Sequence, residues 1–429
     1  MSKKRYAQVG LGSRGQMYNI AVAGKYAEVA ELVGFCDSNR KRMDLINRRR
    51  FAESPVATYA PDEFGKMIAE GKPETVIVTS MDSTHDRYIV RAMELGCDVV
   101  TEKPMTTGAE KCRNILKTVA KTGRKLQVTF NYRYSPPRTQ LKEILSSGAI
   151  GEILSIDFGW YLDTRHGADY FRRWHRMREN SGSLLVHKAT HHFDIINWLI
   201  DDAPEEVFAH ASRRYYVPET AKRFGLENHA ERCLTCPCKD KCNFALDLNS
   251  HENFIQMYLE CESEDGYFRD RCVFAPEINI WDNMSLAVRY QGGALMNYML
   301  HSYSPYEGYR MAFNGTKGRL EHTCCENTYI SGDDSVPGEL QKKNVSTVLI
   351  PEFESPRSIE VKHGTGGHGG GDDPLLADVF DENAPEDPYR RKAGERDGAY
   401  SILIGVAAYT SIDSGLPVKI ADLLGDAPI

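Results

Sequence analysis

Three groups of residues have types and spacings that could do chemistry: Gly10-Leu11-Gly12-Ser13-Arg14-Gly15, the triplet Glu102-Lys103-Pro104, and four crowded thiols, Cys233, Cys236, Cys238 and Cys242. The first is a G-x-G-x-x-G directly after an apolar run and before a helix-compatible stretch, the context a dinucleotide-binding turn requires. Gly10 permits the tight turn, Gly12 lets backbone approach a pyrophosphate, and Gly15 lets helix and strand pack closely while N–H groups at the helix end face the anion. Ser13 and Arg14 complete the turn and are counted with it as cofactor contacts. Asp37 closes Gly34-Phe35-Cys36-Asp37, where a carboxylate would bond the adenosine ribose hydroxyls and repel a 2′-phosphate, so NAD is preferred over NADP. Arg40 and Lys41 stand close enough to accommodate a phosphate, and Asp37 could instead serve as a turn residue before a helix over Asn39–Arg48.

Lys103 suits a proton-transfer role. Oxidising a secondary alcohol needs a base to take the hydroxyl proton as hydride leaves, and that base must be held close to the reacting carbon. A lysine fixed at a strand end before Pro104, partly desolvated and near a nicotinamide ring, should have its ammonium pKa lowered towards the working range. The four thiols, drawn together by a turn at Pro237, could converge on one ion, with a structural zinc the leading reading. An iron–sulfur cluster is the alternative, although the C-x-C step fits it poorly. Three of these cysteines with Cys261 or Cys272, or free thiols, complete the choices.

Length and composition bound the setting. At 429 residues, 41% hydrophobic and 26% charged, the chain can bury a large core and is expected to form two domains. A net charge of -7 with interspersed basic residues gives no field for nucleic acid or anionic lipid. The N-terminal apolar run is too short for a secretory signal and no stretch approaches a membrane span, so a cytoplasmic protein is expected. Cys36, Cys97 and Cys112 read as core residues.

The elements that must position these groups follow from periodicity. Leu32–Cys36, Thr75–Thr79, Asp98–Thr101 and Leu126–Thr129 read as strands separated by amphipathic helices, so residues 1–130 are expected to form a doubly wound Rossmann domain. Residues 131–429 are expected to form an α+β substrate and oligomerisation domain with a mostly antiparallel sheet. Its strands are Ile153–Phe158, Val207–His210, Ser285–Tyr290, Leu295–Tyr303 and Thr347–Ile350, and its helices are Leu184–Ile200 and Ala399–Ser414. The aperiodic, Cys-rich stretch around 210–280 reads as an insertion lying over a domain or an interface, and Gly364–Gly371 as a loop.

The run from Val76 through Thr84-His85 to Gly96-Cys97-Asp98-Val99-Val100-Thr101-Glu102-Lys103-Pro104 resembles the glucose-fructose oxidoreductase, inositol dehydrogenase and MocA family of dehydrogenases. The likeness continues through Asn131-Tyr132-Arg133, Gly182 to Trp198 and Asn314-Gly315-Thr316-Lys317-Gly318. It implies an NAD(P)-dependent enzyme in which Lys103 is catalytic, His191 shares the proton transfer, and Ser80, His85 and Glu102 line the cofactor crevice. Members commonly carry an aspartate one helical turn before that histidine; here the position is His187, followed by Lys188, so His187 becomes a third catalytic candidate. His187 and His191 could also hold a metal with His192, His301, His363, His368 or Asp194. Arg133, Tyr161, Arg173, His175 and Asp194 are the candidate substrate contacts, because sugars are gripped by aromatic faces and charged forks.

These features point to a dehydrogenase acting on a secondary hydroxyl of a sugar, glycoside or cyclitol, working as a homo-oligomer, dimer or tetramer. The alternative is a glycoside-cleaving enzyme with tightly bound NAD, acting by transient oxidation and elimination. A non-catalytic nucleotide sensor is a third reading, disfavoured by the intact Lys103 and His191.

Overall fold

The computed structural model describes residues 3–327, 339–365, 367–381, 384 and 386–429. The first sheet contains β1 (Lys4–Val9), β2 (Ala30–Cys36), β3 (Thr58–Tyr59), β4 (Thr75–Val78), β5 (Asp98–Thr101) and β6 (Leu126–Val128). All are parallel, in the order β3-β2-β1-β4-β5-β6. The unbroken apolar run Val76-Ile77-Val78 is buried on both sides, as a central strand covered by helices on two faces must be. The order reverses between β1 and β4, the point where ligands of doubly wound sheets bind.

The second sheet has nine strands: β7 (Ile153–Asp163), β8 (Pro204–Ser212), β9 (Asn283–Tyr290), β10 (Leu295–Ser304), β11 (Glu307–Gly315), β12 (Gly318–Asn327), β13 (Glu339–Pro351), β14 (Arg357–Ile359) and β15 (Val418–Lys419). Its order is β14-β13-β12-β11-β7-β10-β9-β8-β15, antiparallel throughout except for the β7–β10 pair. Strict alternation along β7, β9 and β10 gives one packed face, with Phe158, Trp160, Leu286 and Tyr298 buried, and one face open to solvent. The helices Ala189–Ile200 and Glu395–Ser414 cover the packed face.

Two details differ from the sequence expectation. The helix expected over Leu184–Ile200 is two helices, Leu184–His187 and Ala189–Ile200, jointed at Lys188. That ammonium lies 4.8 Å from the Trp160 ring centroid and 3.3 Å from the Tyr132 hydroxyl, so the joint is placed by what the lysine reaches. The glycine-rich loop contains a left-handed turn, Gly367–Gly370, in which His368 has φ 53° and Gly369 φ 69°. Glycine adopts that region without strain, and the turn presents His368 towards Tyr132 and His191, at ring separations of 5.9 and 6.3 Å.

The two sheets are interlocked. Helix Asp372–Phe380, far along the chain, returns to the first sheet, where Phe380 packs on Tyr6 and the Tyr6 hydroxyl donates to Val379 O. The insertion between β8 and β9 folds onto the first domain: Leu248, Phe254, Met257 and Tyr258 join one apolar cluster with Leu11, Met43 and Ile46. Cys36, Cys97 and Cys112 are buried core residues. Among the described residues no helix is long and apolar enough to cross a membrane.

Trp160 is the keystone of the packed face, fully buried and stacked on Tyr309 at 4.8 Å and His192 at 4.1 Å. Trp160→Ala is expected to cost about 3–5 kcal/mol, seen as a lower urea midpoint at unchanged slope; a shift equivalent to under ~1 kcal/mol would show that the stack is not core.

Candidate active site

The carboxyl ends of β1, β4 and β5 carry the glycine turn, the segment Ser80-Met81-Asp82, and Glu102-Lys103. At Gly10, where φ is +82°, an added Cβ would lie 2.5 Å from Ser80 N, and at Gly15 it would lie 2.6 Å from Gly10 O. Both glycines are therefore required by close approach. Gly12 has nothing within 4 Å of its Cβ position, leaving the open space a pyrophosphate needs. Asp37 sits beside this turn, its Oδ2 accepting from Leu11 N at 2.6 Å and its Oδ1 from Asn39 N at 2.8 Å. It thus does the work of a turn residue as well, while Asn39 caps the helix Arg40–Arg50 by accepting from Arg42 N. Ser13 is exposed at the turn, and the Ser80 hydroxyl lies 2.8 Å from that of Thr84.

Glu102 and Arg14 hold the turn against the lysine. Glu102 Oε1 accepts from Arg14 Nε at 2.8 Å and from the Tyr18 hydroxyl at 2.9 Å, and its Oε2 accepts from Lys103 N at 3.2 Å. Arg14 also reaches Asp372 at 3.2 Å, and Asp372 lies 3.0 Å from His368 Nδ1. Against the effect of burial, His368 and Arg14 hold the Asp372 carboxyl well below its usual range. His85 is buried with its ring nitrogens 2.8 Å from Pro104 O and 3.0 Å from Ser80 O. Arg14, Glu102 and His85 are thus engaged with the protein, and their geometry is that of groups that position the turn and the lysine.

Around Lys103 the second part of the chain supplies imidazoles. Lys103 Nζ donates to His187 O at 3.2 Å, and His187 Nδ1 lies 2.5 Å from Asp82 Oδ2. His175 is edge-on to His187 at 4.1 Å and stacks on Trp174, while His191 stacks on Tyr132 at 4.4 Å. The Nδ1 atoms of His175 and His191 are buried with no hydrogen-bond partner among the described residues. Burial lowers the Lys103 ammonium to about 8, against the opposing pull of Asp82 and Glu102. Burial also pushes the Asp82 carboxyl up, with Lys103 and Arg173 pulling it back. His187 and His191 are held well below the usual histidine range by burial and then by the Lys103 charge, and remain neutral.

Of the sequence candidates, Lys103, His187, His191, His175 and Arg173 come into this one neighbourhood. Arg173 is 3.4 Å from both Asp169 and the Tyr267 hydroxyl; against burial, Arg269, Arg173 and Arg172 hold Asp169 down to about 2. Three candidates do not line the cleft. Arg133 grips Asp194 with two bonds, of 2.5 and 2.8 Å, and reaches Asp397 at 2.9 Å, so Arg133 and Asp194 form a buried structural pair. Tyr161 lies one residue from Trp160 on a strand, which puts it on the open face of the sheet with His301 and Tyr306.

The suggested histidine metal site does not assemble. His192 turns to Tyr298 and Trp160, His301 is on the far face, and the trio Asp163, His166 and Glu307 is the group found at metal-binding spacing among the described residues. Cys233, Cys236, Cys238 and Cys242 line one cavity, but among the described residues no three of their sulfurs lie within 4.8 Å of one another, wider than a single tetrahedral zinc would draw them. Sequence reasoning missed Asp82, Tyr267 and Arg269 as site residues, and named His368 only as a possible metal ligand. Asp82 carried a usable signal, a carboxylate just past a strand end in a doubly wound fold; Tyr267 and Arg269 lie in the aperiodic insertion and carried none.

A doubly wound sheet whose glycine turn abuts a buried lysine at the strand ends fits a nucleotide-dependent oxidoreductase. The chain belongs to the Gfo/Idh/MocA oxidoreductase family: residues 4–130 match "Oxidoreductase family, NAD-binding Rossmann fold" and residues 142–420 match "Oxidoreductase family, C-terminal alpha/beta domain". It is 38% identical to YteT of Bacillus subtilis over 96% of this chain and 97% of that protein. An inositol 2-dehydrogenase/D-chiro-inositol 3-dehydrogenase of Halalkalibacterium halodurans is 29% identical over 47% of this chain and 54% of its own length. The WlbA dehydrogenase of Bordetella pertussis, solved with NADH and UDP-GlcNAcA, shares the fold with a TM-score of 0.64 at 17% identity, covering 97% of this chain and 99% of that one.

Selective 15N observation of the lysine side chains should find Lys103 titrating near pH 8. In Asp82→Asn the removal of a stabilising negative charge should move that midpoint lower still. A Lys103 midpoint near the ordinary lysine value of about 10.4 would exclude the buried, desolvated ammonium.

Proposed function

We propose that the protein oxidises a secondary hydroxyl of a sugar, glycoside or cyclitol with NAD, using Lys103 as general base. The observation carrying this reading is the convergence of Lys103, whose ammonium burial lowers to about 8, with two imidazoles, His175 and His191, whose buried Nδ1 atoms lack partners among the described residues. Unsatisfied buried nitrogens are costly, and hydroxyl groups of a polyol would satisfy them. The glycine turn and Asp37 would hold the dinucleotide, which when bound supplies the hydride acceptor.

Neutral Lys103 takes the hydroxyl proton at Nζ as the carbon loses hydride, so the alcohol becomes a ketone with one proton left on the lysine. The negative charge of Asp82 favours the ammonium so formed. His187 is oriented by Asp82 Oδ2, which fixes its ring edge-on to His175. In this chain the carboxylate partner of the histidine cluster therefore comes from the loop after β4, where the helix itself offers His187. Arg173, braced by Asp169 and Tyr267, is the cation placed to bind a substrate oxygen.

NAD is favoured over NADP for two reasons. Asp265 lies beside Asp37 through the shared partner Arg42, adding a second carboxylate where a 2′-phosphate would sit. Lys41, which could have met that phosphate, is engaged by Glu260 O at 3.1 Å and Ser263 Oγ at 2.8 Å.

With hexoses, glycosides and inositols offered against NAD, NADH should accumulate with at least one polyol. Its kcat/KM should rise with pH and level off above about 8 as the lysine loses its proton. Lys103→Ala should lose about 100- to 10,000-fold in turnover while still binding NAD. Release of an aglycone without NADH would replace this reading by the eliminating glycosidase, and undiminished turnover in Lys103→Ala would remove the lysine from the chemistry. Asp37→Ala should narrow the preference for NAD over NADP; an unchanged ratio would show that other groups set it.

A further inference from the structure

The insertion between β8 and β9 folds around a cavity lined by Cys233, Cys236, Cys238, Cys242, Cys272 and His229. Cys272 stands thirty positions beyond Cys242, and the fold brings it to the cluster through backbone pairing. Cys233 N donates to Asp270 O at 2.8 Å and Cys272 N to Glu231 O at 2.7 Å, so the segments around Arg232 and Arg271 lie antiparallel.

Ala230 N donates to Cys236 Sγ at 3.4 Å, and Cys272 Sγ lies 3.4 Å from His229 Nδ1. Phe244, which also lines the cavity, accepts at its carbonyl from Arg172 Nη2 at 2.9 Å.

The spacing tells against a single zinc ion. Four thiolates on one zinc, each about 2.3 Å from the metal, sit roughly 3.8 Å apart. Here no three of the sulfurs lie within 4.8 Å of one another among the described residues. A cuboidal cluster holds its cysteines further apart because each binds a different iron. Without Cys238 the awkward C-x-C step disappears, leaving C-x2-C-x5-C and one remote ligand.

We propose that Cys233, Cys236, Cys242 and Cys272 hold a four-iron, four-sulfide cluster, and that Cys238 is not a ligand. Loading replaces four S–H bonds by four Fe–S bonds and releases four protons, with two ferrous ions, two ferric ions and four sulfides entering as such, so that no external oxidant is needed. The cluster is structural: it clamps 231–233 to 270–272, beside Arg269, whose guanidinium lies 2.6 Å from the Asp169 carboxylate that also braces Arg173. It thereby fastens the insertion to the wall of the active site.

The full-length protein, purified without oxygen and reconstituted with equal amounts of ferrous and ferric iron and with sulfide, should contain about four irons and four acid-labile sulfides per chain and show sulfur-to-iron charge-transfer absorption in the visible. Cys238→Ser should keep that content and Cys272→Ser should lose most of it. Stoichiometric zinc without iron, or no metal after reconstitution, would overturn the proposal on the unmodified protein alone. Loss of the cluster in Cys238→Ser would overturn the ligand assignment, even if Cys272→Ser fails to fold.

Discussion

A buried ammonium and a buried carboxyl, Lys103 and Asp82, lie at neighbouring strand ends under a cover of neutral imidazoles. Burial opposes charge on each, and each offsets part of that cost for the other. The result is a lysine whose ammonium is held below its ordinary range. It exists only because the second half of the chain closes over the strand ends of the first, since Lys103 on an open surface would stay an ordinary protonated lysine.

The closure is secured at both ends of the cleft. On one side Arg14 ties the glycine turn to Glu102 and to Asp372, a residue from late in the chain that also holds His368. On the other, the insertion packs Phe254 and Tyr258 onto the first domain while Asn39 Nδ2 donates to Cys261 O at 2.9 Å. The same insertion that covers the Asp37 end of the cleft therefore reaches, through Tyr267 and Arg269, the neighbourhood of Arg173. One segment contacts both the cofactor turn and the substrate side, which couples how the two are shaped.

Much of this was legible in the chain. The parallel sheet, the alternating second sheet and the glycine turn follow from local periodicity and from residues whose conformational demands are local. Lys103 was legible for the same reason, as a strand-end lysine locked by Pro104. Tyr161 was misplaced by a single residue of strand phase: pattern alone shows that β7 alternates, and the partner layer decides which set faces inward. Arg133 and Asp194 were rightly singled out as unusual, but two complementary charges buried together satisfy each other and have nothing left for a ligand. Asp82 was overlooked because its partner, His187, lies 105 residues away.

The sequence by itself determined the elements, the cofactor turn and the strand-end position of Lys103, because each depends on residues within a few turns of one another. Only the tertiary structure decided which charges are spent inside the protein and which face the cleft, that a carboxylate after β4 replaces one on the histidine helix, and that Cys272 joins the thiols of the insertion. Those outcomes depend on dielectric burial and on distances between residues remote in the chain, and neither quantity exists until the chain has folded.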